Sequence, residues 1–258
     1  MDKRKLIILT LSSILFLMGL ATFLFPYWNG ALVDHSIQQE ATNFLVQVTK
    51  STPSDPTYTV DPATPTETQP IQYPELLEDM IAYNESIYEN GQEGLSSKFS
   101  YQQPSFILAD YGLDSEVFGV ISIPRLEIEL PIYLGATYQH MNDGTAHLSQ
   151  TSLPIGGSNT NCVIAGHRGW NGASYFLNIT ELEPGDEVTI TNLWETLTYE
   201  VTGTEIIEPN DVGKILIQPG KDMLTLLTCH PYASGGRQRY LVICERIHYE
   251  PDTEIDHQ

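Results

Sequence analysis

Thr225-Leu226-Leu227-Thr228-Cys229-His230-Pro231 reads as a strand that stops on a cysteine. The strand begins at Met223, is apolar with a β-branched Thr225 among its residues, and cannot run on through Pro231. A cysteine held at a strand end by rigid backbone can face a groove. Cys162-Val163-Ile164-Ala165-Gly166-His167-Arg168-Gly169 ends in a similar way, on a histidine. A third apolar strand, Tyr240-Leu241-Val242-Ile243-Cys244, begins directly after Arg239. A thiol, an imidazole and a cation thus each sit at a strand end. Nucleophilic acyl chemistry needs those three: an attacking sulfur, a proton carrier and a positive charge for the developing oxyanion.

Working outward, period-two patterning with β-formers starts near Val117. Eight strands are expected: Val117–Ile123, Ile128–Tyr133, Asn161–Gly166, Glu187–Asn192, Thr196–Ile207, Lys214–Gln218, Met223–Cys229 and Arg239–Ile247. Turn chemistry at Pro184-Gly185-Asp186 and Pro219-Gly220-Lys221-Asp222 separates several of them. Closely spaced strands with few helices make the domain all-β, a sandwich or a barrel. Tyr175 to Leu182 reads as a short helix. His140 and His147 lie in a loop-rich stretch and are expected in turns or at the surface.

The first half of the chain is different. Residues 1–5 carry Lys3, Arg4 and Lys5, and residues 6–28 follow without a charge. An apolar run of that length spans about 30 Å of hydrocarbon as a helix. The basic residues in front place the N-terminus in the cytoplasm, and Tyr27 and Trp28 suit the far interface. The segment is read as an uncleaved signal anchor, which leaves the rest of the chain outside the cell membrane. Residues 29–48 repeat apolar side chains at helical spacing (Val33, Ile37, Ala41, Phe44, Leu45, Val48), and read as a juxtamembrane helix. Residues 49–74 hold seven threonines and six prolines in 26 positions, a linker composition. Residues 75–116 read as an N-terminal helix and the region where a lid would lie: the helix is opened by Pro74-Glu75 and closed by Asn90-Gly91, and Gly91 to Gln103 is polar and loop-like. Residues 251–258 form a C-terminal tail.

Composition excludes some partners. Twelve Lys+Arg stand against 33 Asp+Glu, a net charge of −21. Nucleic acid is not expected, because its affinity comes from neutralised phosphates. The three cysteines, Cys162, Cys229 and Cys244, have no disulfide or zinc spacing, and neither a metal nor a cofactor is expected.

The motif set resembles the sortases, the membrane-anchored cysteine transpeptidases of Gram-positive bacteria. Thr225-Leu226-Leu227-Thr228-Cys229 is similar to their T-L-x-T-C signature. The resemblance covers residues 117–250 and includes Gly119-Val120-Ile121-Ser122-Ile123-Pro124, Leu130-Pro131-Ile132-Tyr133, Ala165-Gly166-His167-Arg168-Gly169 and Arg239-Tyr240-Leu241-Val242. Thr151-Ser152-Leu153-Pro154-Ile155-Gly156-Gly157 and the G-H-R-G piece look most like class C, the pilin-polymerising enzymes. The resemblance implies a closed eight-stranded barrel as the catalytic domain. It also implies attack on the Thr–Gly bond of an L-P-x-T-G-type sorting signal, a thioacyl enzyme, and transfer to an amine of a pilin lysine or cell-wall peptide. By the same resemblance Cys229 is the nucleophile, His167 the general acid and base, and Arg239 the oxyanion partner, while Thr228 and Ala165 line the sorting-signal groove. Arg237 shares a strand face with Arg239; Arg239 directly precedes the apolar run, as the family's arginine does.

The stretch before the barrel departs from class C. Those enzymes usually carry an Asp-Pro-aromatic lid before the barrel. Here Asp55-Pro56 and Asp61-Pro62 fall in the linker with no Phe or Trp after them, and Tyr101-Gln102-Gln103-Pro104-Ser105-Phe106 lacks the aspartate. Three other readings stand beside pilin polymerisation: anchoring of surface proteins to the cell wall, a catalytically silent membrane-tethered assembly module, and a secreted cysteine peptidase. The last would be expected to orient its histidine with Asn or Asp rather than to supply an arginine.

Overall fold

The computed structural model describes residues 3–51, 71–96 and 102–247. Most of the expected linker and the whole C-terminal tail lie outside them. Ten strands follow the N-terminal helices: β1 Val117–Ile123, β2 Ile128–Leu134, β3 Thr145–His147, β4 Thr160–Ala165, β5 Arg168–Trp170, β6 Ala173–Tyr175, β7 Glu187–Thr191, β8 Thr196–Ile207, β9 Asp222–His230 and β10 Gln238–Arg246. Eight of them close into a barrel in the order β1-β2-β3-β4-β9-β10-β8-β7, and β5 pairs only with β6. The pairs β2/β3 and β4/β9 are parallel; the other barrel pairs are antiparallel.

Closure follows from the side-chain alternation. Ile121, Ile123, Ile132, Ile164, Ile190, Tyr199, Leu224, Leu226 and Val242 point to one interior cluster, so seven of the eight barrel strands have an apolar face to bury there. Cys162 and Cys244 belong to the same cluster as free thiols. Burial pushes both up, Cys244 to about 12, which leaves them protonated and inert at neutral pH.

The barrel has the expected number of strands, with one exchanged. Lys214–Gln218 is not a strand; a 3-10 turn occupies Val212–Ile215, with Ile215 buried beneath it. The eighth barrel strand is β3. It is only three residues long and carries Thr145 and His147, so period-two patterning could not reveal it. Tyr175–Leu182 holds the end of β6 and a 3-10 turn, Ile179–Glu181. His140 and His147 are both buried, contrary to the turn or surface expectation. His140 lies in α3, Tyr138–Asp143, where its ring stacks on Tyr133.

His147 has a consequence for pH. Complete burial lowers it from 6.5 to about 4, and its Nε2 contacts Thr151 O at 3.2 Å. Between those pH values the unfolded chain binds more protons at this site than the folded one. The stabilising contribution is therefore whole above about pH 6.5 and is lost as pH falls toward 4, by an amount on the order of a few kcal/mol. Urea unfolding midpoints measured from pH 7 to 4.5 should fall less steeply in His147→Gln than in the unsubstituted protein; parallel slopes would contradict this.

The apolar N-terminal segment and the juxtamembrane segment form one helix, α1, Lys3–Ser51. Its apolar side chains from Leu6 to Phe25 are exposed, and it is long and apolar enough to cross a membrane. Its second half turns Ile37, Ala41 and Phe44 into the barrel, against Val117, Val120 and Tyr133 among others. The amphipathic face read from the sequence therefore packs on the domain. Helix α2, Pro74–Glu89, buries Leu76 and Met80 in a separate cluster with Phe118, Leu134 and Leu153.

Candidate active site

Strands β4, β9 and β10 lie side by side and carry the three candidate groups to one end of the barrel. Cys229 and Arg239 are directly opposed in the antiparallel β9/β10 ladder. Opposed residues present their side chains on the same face, with Cβ atoms about 5 Å apart. The parallel β4/β9 ladder ends on Ala165 opposite Leu227. His167 and Cys229 each follow two residues later, so their backbones emerge level with one another. Gly166 N donates to Leu227 O at 3.0 Å, and Thr228 Oγ1 donates to Gly166 O at 2.7 Å. Thr228 is thereby a buried strut between the cysteine strand and the histidine loop.

Alternation defines the floor beside these groups. Ala165 and Leu227 precede His167 and Cys229 by two positions, and Leu241 follows Arg239 by two. They share an apolar cluster on the outer face of the barrel with Val163, Ile207 and Ile215. Leu95, from the 3-10 turn Glu93–Ser96, packs into that same cluster and is almost fully buried. Sequence reading took this region for polar loop; one leucine among polar residues carries no period. The Pro104–Phe106 segment instead packs with α2, where Phe106 meets Tyr83 and Tyr111 edge-on and tilted.

Cys229 is the one cysteine of the three with solvent access. The His167 ring stacks on Trp170 with centroids 5.1 Å apart and meets the edge of Tyr175 at 5.6 Å. Burial lowers its pKa below the ordinary imidazole value, so the neutral ring predominates at pH 7. Arg239 Nη1 donates to Gly236 O at 2.7 Å and to Gln238 O at 3.1 Å. Arg237 is exposed. His230 turns to Arg168, whose Nη1 donates to His230 Nδ1 at 2.8 Å, and stacks on Tyr240. The acidic residues near β8 are engaged at the surface: Glu205 pairs with Lys214 at 2.6 Å and Glu208 accepts from Gln238 at 3.1 Å.

Gly236 is a site residue that the sequence did not single out. Its φ is +76°, and a Cβ there would lie 3.2 Å from Cys229 Sγ and 3.1 Å from Arg239 Nη1. The neighbouring Gly235 has a similar φ of +73° with open space around it. Alanine at either position strains the backbone by about 1 kcal/mol or more, but only Gly236→Ala presses on the cysteine and arginine. Gly236→Ala should lower kcat/KM about tenfold or more, while Gly235→Ala should lose similar stability and keep its activity. Equal activities in the two variants would show that the contact with Cys229 does not matter.

The chain is similar to proteins of known family. The chain matches the family model described as Sortase domain over residues 121–247. It is 30% identical over 131 residues to sortase D of Bacillus subtilis (strain 168), an alignment covering 50% of this chain and 63% of that protein. The chain thus spans somewhat under two thirds of that relative. Among solved structures it is similar to the lid mutant of Streptococcus agalactiae sortase C1, at 32% identity and TM-score 0.60, covering 69% of this chain and 90% of that one. It is also similar to the pilus-related sortase C of Group B Streptococcus, at 32% identity and TM-score 0.54, covering 67% and 91%.

Proposed function

The chain belongs to the sortase family, and from that premise we propose that it is a membrane-anchored cysteine transpeptidase acting on an L-P-x-T-G-type sorting signal, with a pilin lysine as acceptor amine. The observation that carries the reading is the opposition of Cys229 and Arg239 on adjacent strands, with His167 two residues past the end of the third, β4.

The chemistry proceeds as two acyl transfers. Cys229 Sγ attacks the threonine carbonyl carbon, and its proton passes to the neutral His167 imidazole. Charge gathers on the carbonyl oxygen beside Arg239, which two backbone carbonyls hold in place. Collapse breaks the C–N bond; His167 protonates the departing glycine amine and leaves a thioacyl enzyme. An incoming amine then attacks the thioester, His167 takes its proton, and the cysteine sulfur leaves. Ala165 belongs to the apolar floor along which an extended peptide would reach Cys229, and Leu95 would have to yield to it. Thr228 supports the groove through its bond to Gly166.

The pilus role is supported by the class C-like motifs and by structural similarity to a pilus-related sortase C. Residues 6–28 would span the membrane, with the barrel outside the cell. Full-length protein in detergent, incubated with a pilin that carries a sorting signal, should yield a ladder of covalent polymers. Transfer to small amines alone would favour anchoring to the cell wall, and no turnover of any sorting signal would favour a silent assembly module.

A further inference from the structure

His167 leads directly into the β5–β6 hairpin, and Trp170 and Tyr175 of that hairpin are the two aromatic residues flanking its ring. Each hairpin strand has three residues, and β5 and β6 pair with no other strand. A two-stranded ribbon is marginal alone in water, so its position must be set by what it packs against. On one side Arg168 donates to His230 at 2.8 Å and to Thr180 at 3.2 Å. On the other side lies α1. A Cβ on Gly30 would fall 2.3 Å from Gly172 O, so the two backbones touch with no room for a side chain. Asp34 Oδ1 accepts from Ser174 N at 3.0 Å, and Asn29 Nδ2 donates to Asn171 O at 3.5 Å. Ile37, one turn on, is buried in the same cluster as Ala173 and Tyr175.

We propose that Gly30 and Asp34 of α1 are positioning residues for His167, so that the helix anchoring the chain in the membrane also clamps the hairpin that orients the catalytic imidazole. The proposal rests on the assignment of His167 to proton transfer. It gives the outer half of α1 a part in the reaction: Gly30 supplies the close approach, and Asp34 satisfies a backbone N–H in the second strand of the hairpin. Neither touches the reacting atoms.

The test uses full-length protein in detergent with Asp34→Ala, Asp34→Asn, Gly30→Leu and, on an exposed position of the same helix, Gln39→Ala. Asp34→Ala should lower kcat for an L-P-x-T-G peptide about tenfold, the size expected for a small misplacement of a catalytic group, with KM and Tm near those of the unsubstituted protein; Gly30→Leu, which must push helix and hairpin apart, should lower kcat at least as much and also lower Tm. Asp34→Asn keeps the accepting oxygen and should retain most of the activity; Gln39→Ala should be unchanged. Amide hydrogen exchange, which needs no turnover, should speed up over residues 168–175 in Asp34→Ala but not in β9 or β10. Unsubstituted kcat in Asp34→Ala and Gly30→Leu, or a kcat loss in Asp34→Ala that simply follows a loss of Tm, would overturn the proposal. An Asp34→Asn variant as impaired as Asp34→Ala would overturn it too. Should the unsubstituted protein itself fail to turn over the peptide, the transpeptidase reading falls; unchanged exchange over 168–175 in Asp34→Ala would then refute the clamp separately.

Discussion

Cys229→Ala is expected to make no transfer product from an L-P-x-T-G peptide and an amine, a loss of roughly 10⁴-fold or more that brings the rate to background. The reason is that no other thiol in the chain can take over. Cys162 and Cys244 are buried in the barrel interior, where burial raises their pKa values and no peptide can reach them. The folded state should hardly notice the change, because Cys229 is a small, partly exposed side chain at the end of a well-paired strand. Initial rates by chromatography, with Tm measured beside them, check both halves. Activity remaining in this variant would place the nucleophile elsewhere.

The second large effect separates two neighbouring arginines. Arg239→Ala should lower kcat/KM by about 10²- to 10³-fold, the usual result of removing an oxyanion partner. Arg237→Ala should stay within about twofold, as surface changes do. Arg239 is opposite Cys229 in the ladder and its Nη1 is shared between two backbone carbonyls, whereas Arg237 is exposed. Arg239→Lys is informative as well: an ammonium keeps the charge but lacks the planar fork that reaches the carbonyls and an oxyanion together, so it should recover only part of the loss. Steady-state kinetics over the sorting-signal peptide decides the matter, and a large loss in Arg237→Ala with a mild one in Arg239→Ala would reverse the assignment.

Much of this was legible in the chain because the site is built from strand ends. Apolar runs that stop at Cys229, at Gly166-His167 and after Arg239 marked three strands and their shared end, and seven of the eight barrel strands announced themselves by alternation. The eighth did not. β3 is three residues with two polar side chains, and its pairing with β2 and β4 is a tertiary fact. Lys214–Gln218 failed for the opposite reason: an apolar run looked like a strand, but Val212–Ile215 winds into a turn that buries Ile215. Leu95 and Gly236 were invisible for a related cause. Each matters through its packing in the folded chain, Leu95 in the outer-face cluster and Gly236 against Cys229 and Arg239, and a lone residue has no period to betray it. The N-terminal residues form one helix, α1, and its close approach to the histidine hairpin, where Gly30 meets Gly172, is a long-range contact that periodicity does not show.

The central claim is a thioacyl enzyme on Cys229. Full-length protein mixed with an L-P-x-T-G-type peptide, quenched in acid within the first turnover and analysed by intact mass and peptide mapping, tests it directly. The expected result is an added mass equal to the peptide up to its threonine less one water, carried on the fragment containing Cys229, and its conversion to a new amide when an amine is added before the quench. No adduct, an adduct on another residue, or an adduct indifferent to added amine would contradict it.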